Sequence, residues 1–332
     1  GDSIIKLNEK NEAIRYNISE SGSIHGFTST GGSKGGSFIY SGDRLTIDNT
    51  VIKGNKNTAG TTGAKGGAVF YGNNAADGAG LTVSNSYVTE NCREWLKSYS
   101  TVSGGAIFSQ QKNGIFSIKV SYFTKNYVKG NPLVTTSYSA NGGAISNDSG
   151  RLQIEGSYFG NNYVSGAKSE GGAVWANGYT PETGVEFKPH TINKTVFENN
   201  SVTGTKPGAS GGALYVLNDV DIADSLFVSN KTIINPTDEY TASYNYATTA
   251  KGGAVFKGDN VIGDLASNPN LKFNATLNVK DTVFKDNEIQ FKEGALALKE
   301  GSSASGGAVH LSNSISNIDK TVFSGNKVVS EY

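Results

Sequence analysis

One stretch of the chain, residues 142–162, contains the pattern that decides the fold: GGAISNDSGRLQIEGSYFGNN. It opens with Gly-Gly-Ala and an aliphatic residue (Gly142–Ile145) and closes with an aromatic ring, two variable residues and Asn (Phe159–Asn162). Between these two motifs, Leu152 and Ile154 alternate with polar residues. That period of two is expected of a β-strand with one buried face.

Both motifs recur along the chain in strict alternation, eight of each. Copies of the first motif, the earliest of them degenerate, begin at Gly35, Gly66, Gly104, Gly142, Gly171, Gly211, Gly252 and Gly306. Copies of the second end at Asn55, Asn91, Asn126, Asn162, Asn200, Asn230, Asn287 and Asn326. Two positions before its ring, or before the aliphatic residue that replaces the ring, stands a hydroxyl residue: Thr50, Ser86, Ser121, Ser157, Thr195, Ser225, Thr282 or Thr321. The block from the apolar pair to the Asn contains no insertion, so all length variation falls elsewhere.

A repeat of about three short strands cannot bury its own apolar face and must stack on its neighbours. We therefore predict an all-β fold, a right-handed parallel β-helix of about eight motif-bearing coils over residues 35–332. Residues 1–34 lack both motifs and are predicted to form an N-terminal cap or a first irregular coil. A β-propeller blade needs about 40–50 residues, and Gly142 and Gly171 are only 29 residues apart.

The β-helix assigns a role to each recurring residue. We expect the rings of the second motif to stack inside, at Phe123, Phe159, Phe197, Phe227, Phe284 and Phe323. The Asn should line one corner as a hydrogen-bonded ladder, one coil per repeat, and it also tolerates a left-handed backbone there. The glycine pair is expected where positive φ or close backbone approach excludes a Cβ.

The amino-acid composition excludes several classes of function. The 332 residues carry 29 basic and 29 acidic side chains, so the chain lacks the basic footprint of a nucleic-acid binder. Cys92 is the only cysteine, which excludes an intrachain disulfide and a Cys-based zinc site and predicts a buried thiol. No apolar run approaches the ~20 residues of a membrane span, and no signal peptide is present. The absence of Met predicts a processed piece of a longer protein.

The alternating Gly-Gly-Ala-(Ile/Leu/Val) and Phe-x-x-Asn motifs, from Gly35 to Val328, resemble the repeats of polymorphic outer-membrane proteins. More broadly, they are similar to autotransporter passenger domains. The resemblance implies a passenger on the bacterial cell surface, or secreted, that often acts as a virulence-associated adhesin. It also implies that the membrane is reached only through a C-terminal β-barrel translocator, which this sequence lacks.

Two insertion points interrupt the constant blocks, and they are candidates for recognition. The first follows the glycine motif and is long at Ala176–Pro189 and Lys257–Ala275. The second follows the Asn and is long at Tyr127–Ala140, Lys231–Ala250 and Glu288–Ser305. Aromatic side chains on and beside these loops either bind a ligand or pack the loop on the rod. We take as candidate ligand-binding residues Trp175, Tyr179, Tyr215, Tyr240, Tyr244 and Tyr246.

A second candidate is the position just after the aliphatic residue of each glycine motif. It is occupied by Ile39, Phe70, Phe108, Ser146, Trp175, Tyr215, Phe256 and His310. If the aliphatic residue points inward, these side chains point outward and form a stacked row. An exposed aromatic row would suit sugar rings or an apolar partner. Alternatively, the row is buried beneath loops, or the strand bends and both positions face inward.

Catalysis is not expected. Glycoside hydrolysis needs two carboxylates on one face; Asp219 and Asp221 have a compatible spacing, and Asp221 should face solvent. Aspartates at strand ends are mostly turn formers, however. The His residues are scattered, with His190 in an apolar position of the repeat, and no metal-ligand spacing occurs. We therefore expect no catalytic residue, no metal and no cofactor.

Three hypotheses follow. The first is a cell-surface adhesin that binds host protein or glycan through projecting loops. The second is a self-associating autotransporter passenger that mediates bacterial aggregation, for which zero net charge is permissive. The third is a polysaccharide lyase or hydrolase. The partner is accordingly a host-cell surface protein or glycan, or another copy of the chain, and not nucleic acid.

Overall fold

The structure, a computed structural model, is built from strands stacked into long parallel sheets. It describes residues 4–7, 13–16, 22–25, 28–29, 39–41, 44–58, 65–73, 80–95, 100–132, 139–177, 188–235, 248–258, 275–292 and 303–330. No residue in these ranges is helical. The chain is a parallel β-helix, as predicted.

Three sheets form the walls of the rod, and each coil contributes to all three. Sheet 1 takes the glycine-motif strands and the apolar-pair strands: Ile39–Ser41, Leu45–Asp48, Val69–Asn73, Leu81–Ser84, Ile107–Lys119, Ile145–Glu155, Val174–Ala176, His190–Asn193, Leu214–Leu217, Val220–Ala223, Val255–Gly258, Ala275–Lys280, Val309–Leu311 and Ser314–Asp319. Sheet 2 takes the strands of the second motif: Gly22–His25, Thr50–Lys53, Tyr87–Thr89, Tyr122–Thr124, Tyr158–Gly160, Val196–Glu198, Leu226–Val228, Val283–Lys285 and Val322–Ser324. Sheet 3 takes the strands that follow the Asn: Thr28–Ser29, Lys56–Asn57, Cys92–Glu94, Val102–Ser103, Tyr127–Lys129, Ser139–Asn141, Tyr163–Glu170, Ser201–Ser210, Lys231–Ile234, Thr249–Lys251, Glu288–Phe291, Ser303–Ser305 and Lys327–Ser330.

The N-terminal residues already enter this stack. Gly22–His25 pairs in parallel with Thr50–Lys53, and Thr28–Ser29 pairs with Lys56–Asn57. Among the strands that the structure describes, Ile4–Leu7 and Ala13–Tyr16 form the single antiparallel pair. A coil without either sequence motif therefore precedes the eight that carry them.

The main core lies between sheets 1 and 2, where the apolar pairs of each coil meet the rings of the second motif. Neighbouring rings stack with centroids 4.7–5.0 Å apart, as the predicted column requires. Five of the six predicted rings are fully buried, whereas Phe323 is 46 % exposed. The prediction is wrong for Phe323 because its strand ends sheet 2 in the described part of the chain and is covered on one side only.

The corner that follows each ring is built by the predicted ladder. The side-chain oxygen of each Asn accepts from the backbone nitrogen and Nδ2 of the Asn one coil earlier, from Asn55 to Asn326, so each repeat is one coil. The left-handed residue is the one before the ladder Asn, such as Lys125 with φ 56°. The expectation that the Asn itself adopts that conformation is wrong, because both its amide groups are held by the ladder.

The glycine pair divides its two predicted roles between its members. The first glycine takes positive φ, for example 63° at Gly142. The second is stacked so closely on the next coil that a Cβ on Gly143 would overlap the Gly172 carbonyl oxygen. Neither position tolerates a side chain, and this is why the pair recurs.

Two sequence expectations are corrected by the register. Ile39 pairs with Val69 and is buried in the core, so the outward position assigned to Ile39 is wrong; the register pairs Tyr40 with Phe70 instead. The count of three strands per repeat is too low, since sheet 3 receives two strands in several coils, such as Lys231–Ile234 and Thr249–Lys251. Their alternating apolar residues build a second core, which contains Val128, Val164, Val202, Ala209, Ile234 and Ala250.

Candidate functional site

We call the outward positions next to the glycine-motif aliphatic residues the glycine-strand row. Its rings stack as predicted: the centroids of Trp175 and Tyr215 are 6.3 Å apart, and those of Tyr215 and Phe256 are 4.6 Å apart. The row is nevertheless mostly buried, with Trp175 8 % and Phe256 7 % exposed. Of the alternatives above, the structure therefore has the outward but covered row.

Side chains that precede the glycine pairs cover this row. Trp175 Nε1 donates to Glu170 Oε2 at 3.1 Å, and Lys168 Nζ lies 2.6 Å from Glu170 Oε1. The pKa of Tyr215 is raised, first by burial and then by the same Glu170 carboxylate. Lys65 Nζ lies 4.2 Å from the ring centroid of Phe108. These contacts occupy the polar atoms and ring faces that a ligand would need, so binding by Trp175 and Tyr215 stays a prediction.

The other four candidate tyrosines, Tyr179, Tyr240, Tyr244 and Tyr246, lie outside the described residues. What the structure adds is where the predicted loops begin and end. Ile234 and Ala250, inside the predicted loop Lys231–Ala250, are fully buried strand residues. The rest of that predicted loop, 236–247, lies outside the described residues.

An exposed apolar row lies on sheet 2, on the opposite side of the strands from the buried rings. Tyr87 is 53 % and Tyr122 44 % exposed, and their rings stack with centroids 4.8 Å apart. Tyr158 follows, with its hydroxyl donating to Glu198 Oε2 at 2.8 Å. The register places eight residues in this row, one per coil, which we call the outer row: Val51, Tyr87, Tyr122, Tyr158, Val196, Leu226, Val283 and Val322.

Sequence analysis missed the outer row although its signal is present. The residue before each ring is apolar or aromatic in all eight repeats, at a position where strand alternation predicts an outward side chain. Seven strand spacings of ~4.8 Å make this row about 34 Å long. The outer row was not predicted because the motifs were defined by their inward residues.

The acidic residues considered for catalysis are held in hydrogen bonds to the next coil. Asp219 Oδ1 accepts from the Thr276 backbone nitrogen at 2.7 Å, and Asp221 Oδ1 accepts from Asn278 Nδ2 at 2.7 Å. Asp221 is partly exposed on the outer face of sheet 1, as predicted. Among the described residues, no group of three or more His, Cys, Asp and Glu side chains is placed to hold a metal ion.

The predicted burial of Cys92 is confirmed, with 2 % of the residue exposed. Burial raises the pKa of its thiol. The neighbouring Arg93 is also buried, in the inward column where the following coils place Val128 and Val164. Arg93 Nη1 donates to the carbonyl oxygens of Asn57 at 3.1 Å and Glu94 at 3.0 Å.

A groove of about 460 Å³ crosses four strands on the outer face of sheet 1. Small side chains in its floor, Ser117, Thr191 and Ala223, stand between the longer Lys119, Gln153, Glu155 and Asp221. The groove therefore arises from side-chain size on an otherwise flat sheet. Sequence analysis singled out Asp221 alone of these residues.

Within the described ranges, no helix is long and apolar enough to cross a membrane. Comparison of the chain with protein-family models, with curated proteins and with solved structures finds no match.

Proposed function

We propose that this protein is a non-catalytic recognition rod, a cell-surface adhesin passenger that binds a host protein or glycan. The observation that carries the proposal is the outer row. A continuous line of apolar and aromatic side chains, exposed at Val51, Tyr87, Tyr122 and Val322, costs solubility unless it meets a partner. Tyr side chains supply contact area at low entropic cost, which suits them to protein interfaces.

The coil geometry supports a surface role in a second way. Ring and Asn positions are held at constant spacing by stacking, whereas the outer row is free of that obligation, because Ser or Thr would satisfy the strand equally well. The later coils also carry the longer insertions, which lie between Asn235 and Thr248, between Gly258 and Ala275 and between Lys292 and Ser303. We propose that these loops contribute recognition alongside the outer row, on the bacterial surface or after secretion.

Adhesion of rod-coated beads to host cells and to immobilised matrix proteins tests the proposal. We expect Tyr87→Ser combined with Tyr122→Ser to weaken adhesion about tenfold or more, since exposed aromatic contacts at an interface contribute of the order of 1 kcal/mol or more each. The matched control is Ile115→Ser, an apolar residue 40 % exposed on sheet 1, outside the outer row. Equal adhesion by wild type and the double variant would contradict a role for the row.

Self-association of the rod is the second candidate function. The outer row has one residue per strand spacing, so the outer rows of two rods have the same spacing and can pair side by side. Sedimentation of the wild type and the double variant separates the two functions. In rod pairing, the sedimentation mass of the wild type rises with concentration, and Tyr87→Ser combined with Tyr122→Ser abolishes that rise. If the same double variant leaves host-cell adhesion unchanged, the outer row serves rod pairing instead of adhesion.

A further inference from the structure

The tyrosines of the outer row form a short stacked column whose two ends differ. The rings of Tyr87 and Tyr122 are nearly parallel, with 6° between their planes and 4.8 Å between their centroids. At the C-terminal end, the ring of Tyr158 is tilted by 40° from that of Tyr122. It lies over Gly160, where an added Cβ would overlap the Tyr158 ring. The regular stack therefore ends at Tyr122 on this side.

The N-terminal end of the column has an open ring face. Val51 is in register with Tyr87 and precedes it in the outer row. Of the ring contacts formed by the described residues, Tyr122 supplies the single one to Tyr87. Tyr87 is 53 % exposed, whereas Tyr122, with a ring on either side, is 44 % exposed. Because a Val side chain is shorter than a Tyr ring, the column ends in a step that has Val51 as its floor and Tyr87 as its wall.

A charged pair borders this step. Lys53 lies two residues after Val51 on the same exposed side of the strand, and its Nζ is 3.5 Å from Glu90 Oε2. Both side chains are about half exposed, so water screens the ion pair and its rearrangement costs little. Lys53 can therefore donate to a ligand hydroxyl, and Glu90 can accept from one.

The corresponding ring of the other tyrosine stack, on sheet 3, is covered. Tyr127 and Tyr163 also stack with centroids 4.8 Å apart, but both residues are half-buried. Cys92 precedes Tyr127 in that column, and Lys129 Nζ lies 5.3 Å from the Tyr127 ring centroid. An exposed ring face at the N-terminal end thus distinguishes Tyr87 from Tyr127.

We propose that the open face of Tyr87 binds one sugar ring of a glycan, an inference that rests on the proposed role of the outer row in recognition. The face of an aromatic ring carries partial negative charge, and a pyranose ring presents a face of C–H groups with partial positive charge. Val51 supplies an apolar floor for the same sugar ring, and its hydroxyls reach the pair of Lys53 and Glu90. An aliphatic protein side chain would cover the floor but leave the charged border without partners, so a sugar fits the step better.

Saturation-transfer NMR with the whole rod tests this site with cellotetraose, chitotetraose, lacto-N-neotetraose and 3′-sialyllactose as probes. We expect at least one probe to bind, with saturation concentrated on the C–H protons of one face of one sugar ring. Tyr87→Phe keeps the flat ring and should keep the binding. Tyr87→Leu keeps an apolar side chain but removes the ring face, and it should weaken the binding about tenfold.

Val51→Tyr is the most direct variant. Because Val51 is in register with Tyr87, the new ring should stack on the open face and extend the column. It should abolish glycan binding, although it adds an aromatic side chain to the outer row. The matched control is Val283→Tyr in the same row, where the neighbouring residues are Leu226 and Val322. This control should leave glycan binding unchanged.

Three outcomes would overturn the inference. One is the absence of binding by every probe. Another is equal binding by Tyr87→Leu and wild type, and the third is equal binding by Val51→Tyr and Val283→Tyr. Circular dichroism of each variant separates a loss of binding from a loss of fold.

Host-cell adhesion of the same variants keeps this inference apart from the proposed function. If Tyr87→Ser combined with Tyr122→Ser weakens adhesion while no probe binds, the partner of the outer row is a protein. That result would overturn the sugar site at Tyr87 and leave the adhesin proposal standing. If Val51→Tyr weakens both probe binding and adhesion, the sugar ring at Tyr87 belongs to the adhesion ligand.

Discussion

Asn162 receives two hydrogen bonds from Asn126 through a single oxygen: its Oδ1 lies 3.0 Å from the Asn126 backbone nitrogen and 3.1 Å from Asn126 Nδ2. Asn162 Nδ2 in turn donates to the Phe123 carbonyl oxygen at 2.8 Å. One amide thus satisfies three buried groups of the preceding coil. Because each coil repeats this arrangement, the corner is held without any bulky side chain.

We predict that Asn162→Ala lowers the free energy of unfolding by about 3–5 kcal/mol, since three buried polar groups lose their partner. The control is Asn326→Ala at the last described rung, where the side chain is only partly buried and the cost should be about 1–2 kcal/mol. Urea unfolding followed by circular dichroism measures both. Equal losses at the two positions would contradict the ladder as a source of stability.

The ring column offers a second matched pair. Phe197 is fully buried between Phe159 and Phe227, so Phe197→Ala should cost about 3–5 kcal/mol through lost transfer energy and a cavity. Phe323→Ala, at the exposed end of the same column, should cost about 1 kcal/mol. Thermal unfolding of the two variants checks the difference, and a Phe197 variant as stable as the Phe323 variant would be inconsistent with an enclosed stack.

Two glycine-to-alanine variants distinguish the stability cost of a steric overlap with the backbone from the cost of a left-handed backbone conformation. In Gly143→Ala, the new Cβ would overlap the Gly172 carbonyl oxygen and lie 2.8 Å from the Tyr163 backbone nitrogen. This variant should misfold or lose about 3 kcal/mol or more. Gly156 has φ 57° but open space, with Val120 Cγ2 at 3.7 Å, so Gly156→Ala should cost only about 1–2 kcal/mol for the left-handed conformation. Expression level and melting temperature of both variants test this order.

Stability should fall in mild acid because of His190. Burial lowers the pKa of His190 to about 4, and its Nδ1 accepts from the Leu152 backbone nitrogen at 3.0 Å. The unfolded chain binds this proton near pH ~6.5, whereas the folded chain does not until about pH 4. Between these values the unfolded state therefore binds more protons, and stability rises with pH. The contribution, about 3 kcal/mol, is complete above pH ~6.5 and is lost as the pH falls toward 4.

The variant His190→Asn keeps an acceptor but does not titrate in this range. It should flatten the dependence of the unfolding free energy on pH between about 4 and 6.5. Denaturant unfolding at several pH values, for wild type and variant, measures the slope. An unchanged slope in His190→Asn would attribute the acid sensitivity to other groups.

Periodicity was sufficient to predict the coil and the residues that build it. The apolar pairs, the rings and the ladder Asn recur because each must contact its own counterpart one strand spacing away, and this local rule is visible in one chain. The same rule predicted that Trp175 and Tyr215 stack on the outer side of sheet 1. It could not predict whether they are covered, because the covering side chains Glu170 and Lys168 stand before the glycine pair, at positions whose residue type changes from repeat to repeat.

The sequence by itself determined the architecture, the one-coil repeat and the exclusion of a Cβ from the glycine pair. Tertiary structure alone decided which outward surfaces are open. Tyr87 and Tyr122 are exposed while Phe108 is buried, although all three alternate with inward residues in the same way. The physical reason is that inward contacts are made between equivalent positions of adjacent coils. The covering of an outer face depends instead on side chains from non-equivalent positions. The same holds for the groove on sheet 1, which small side chains at Thr191 and Ala223 leave open.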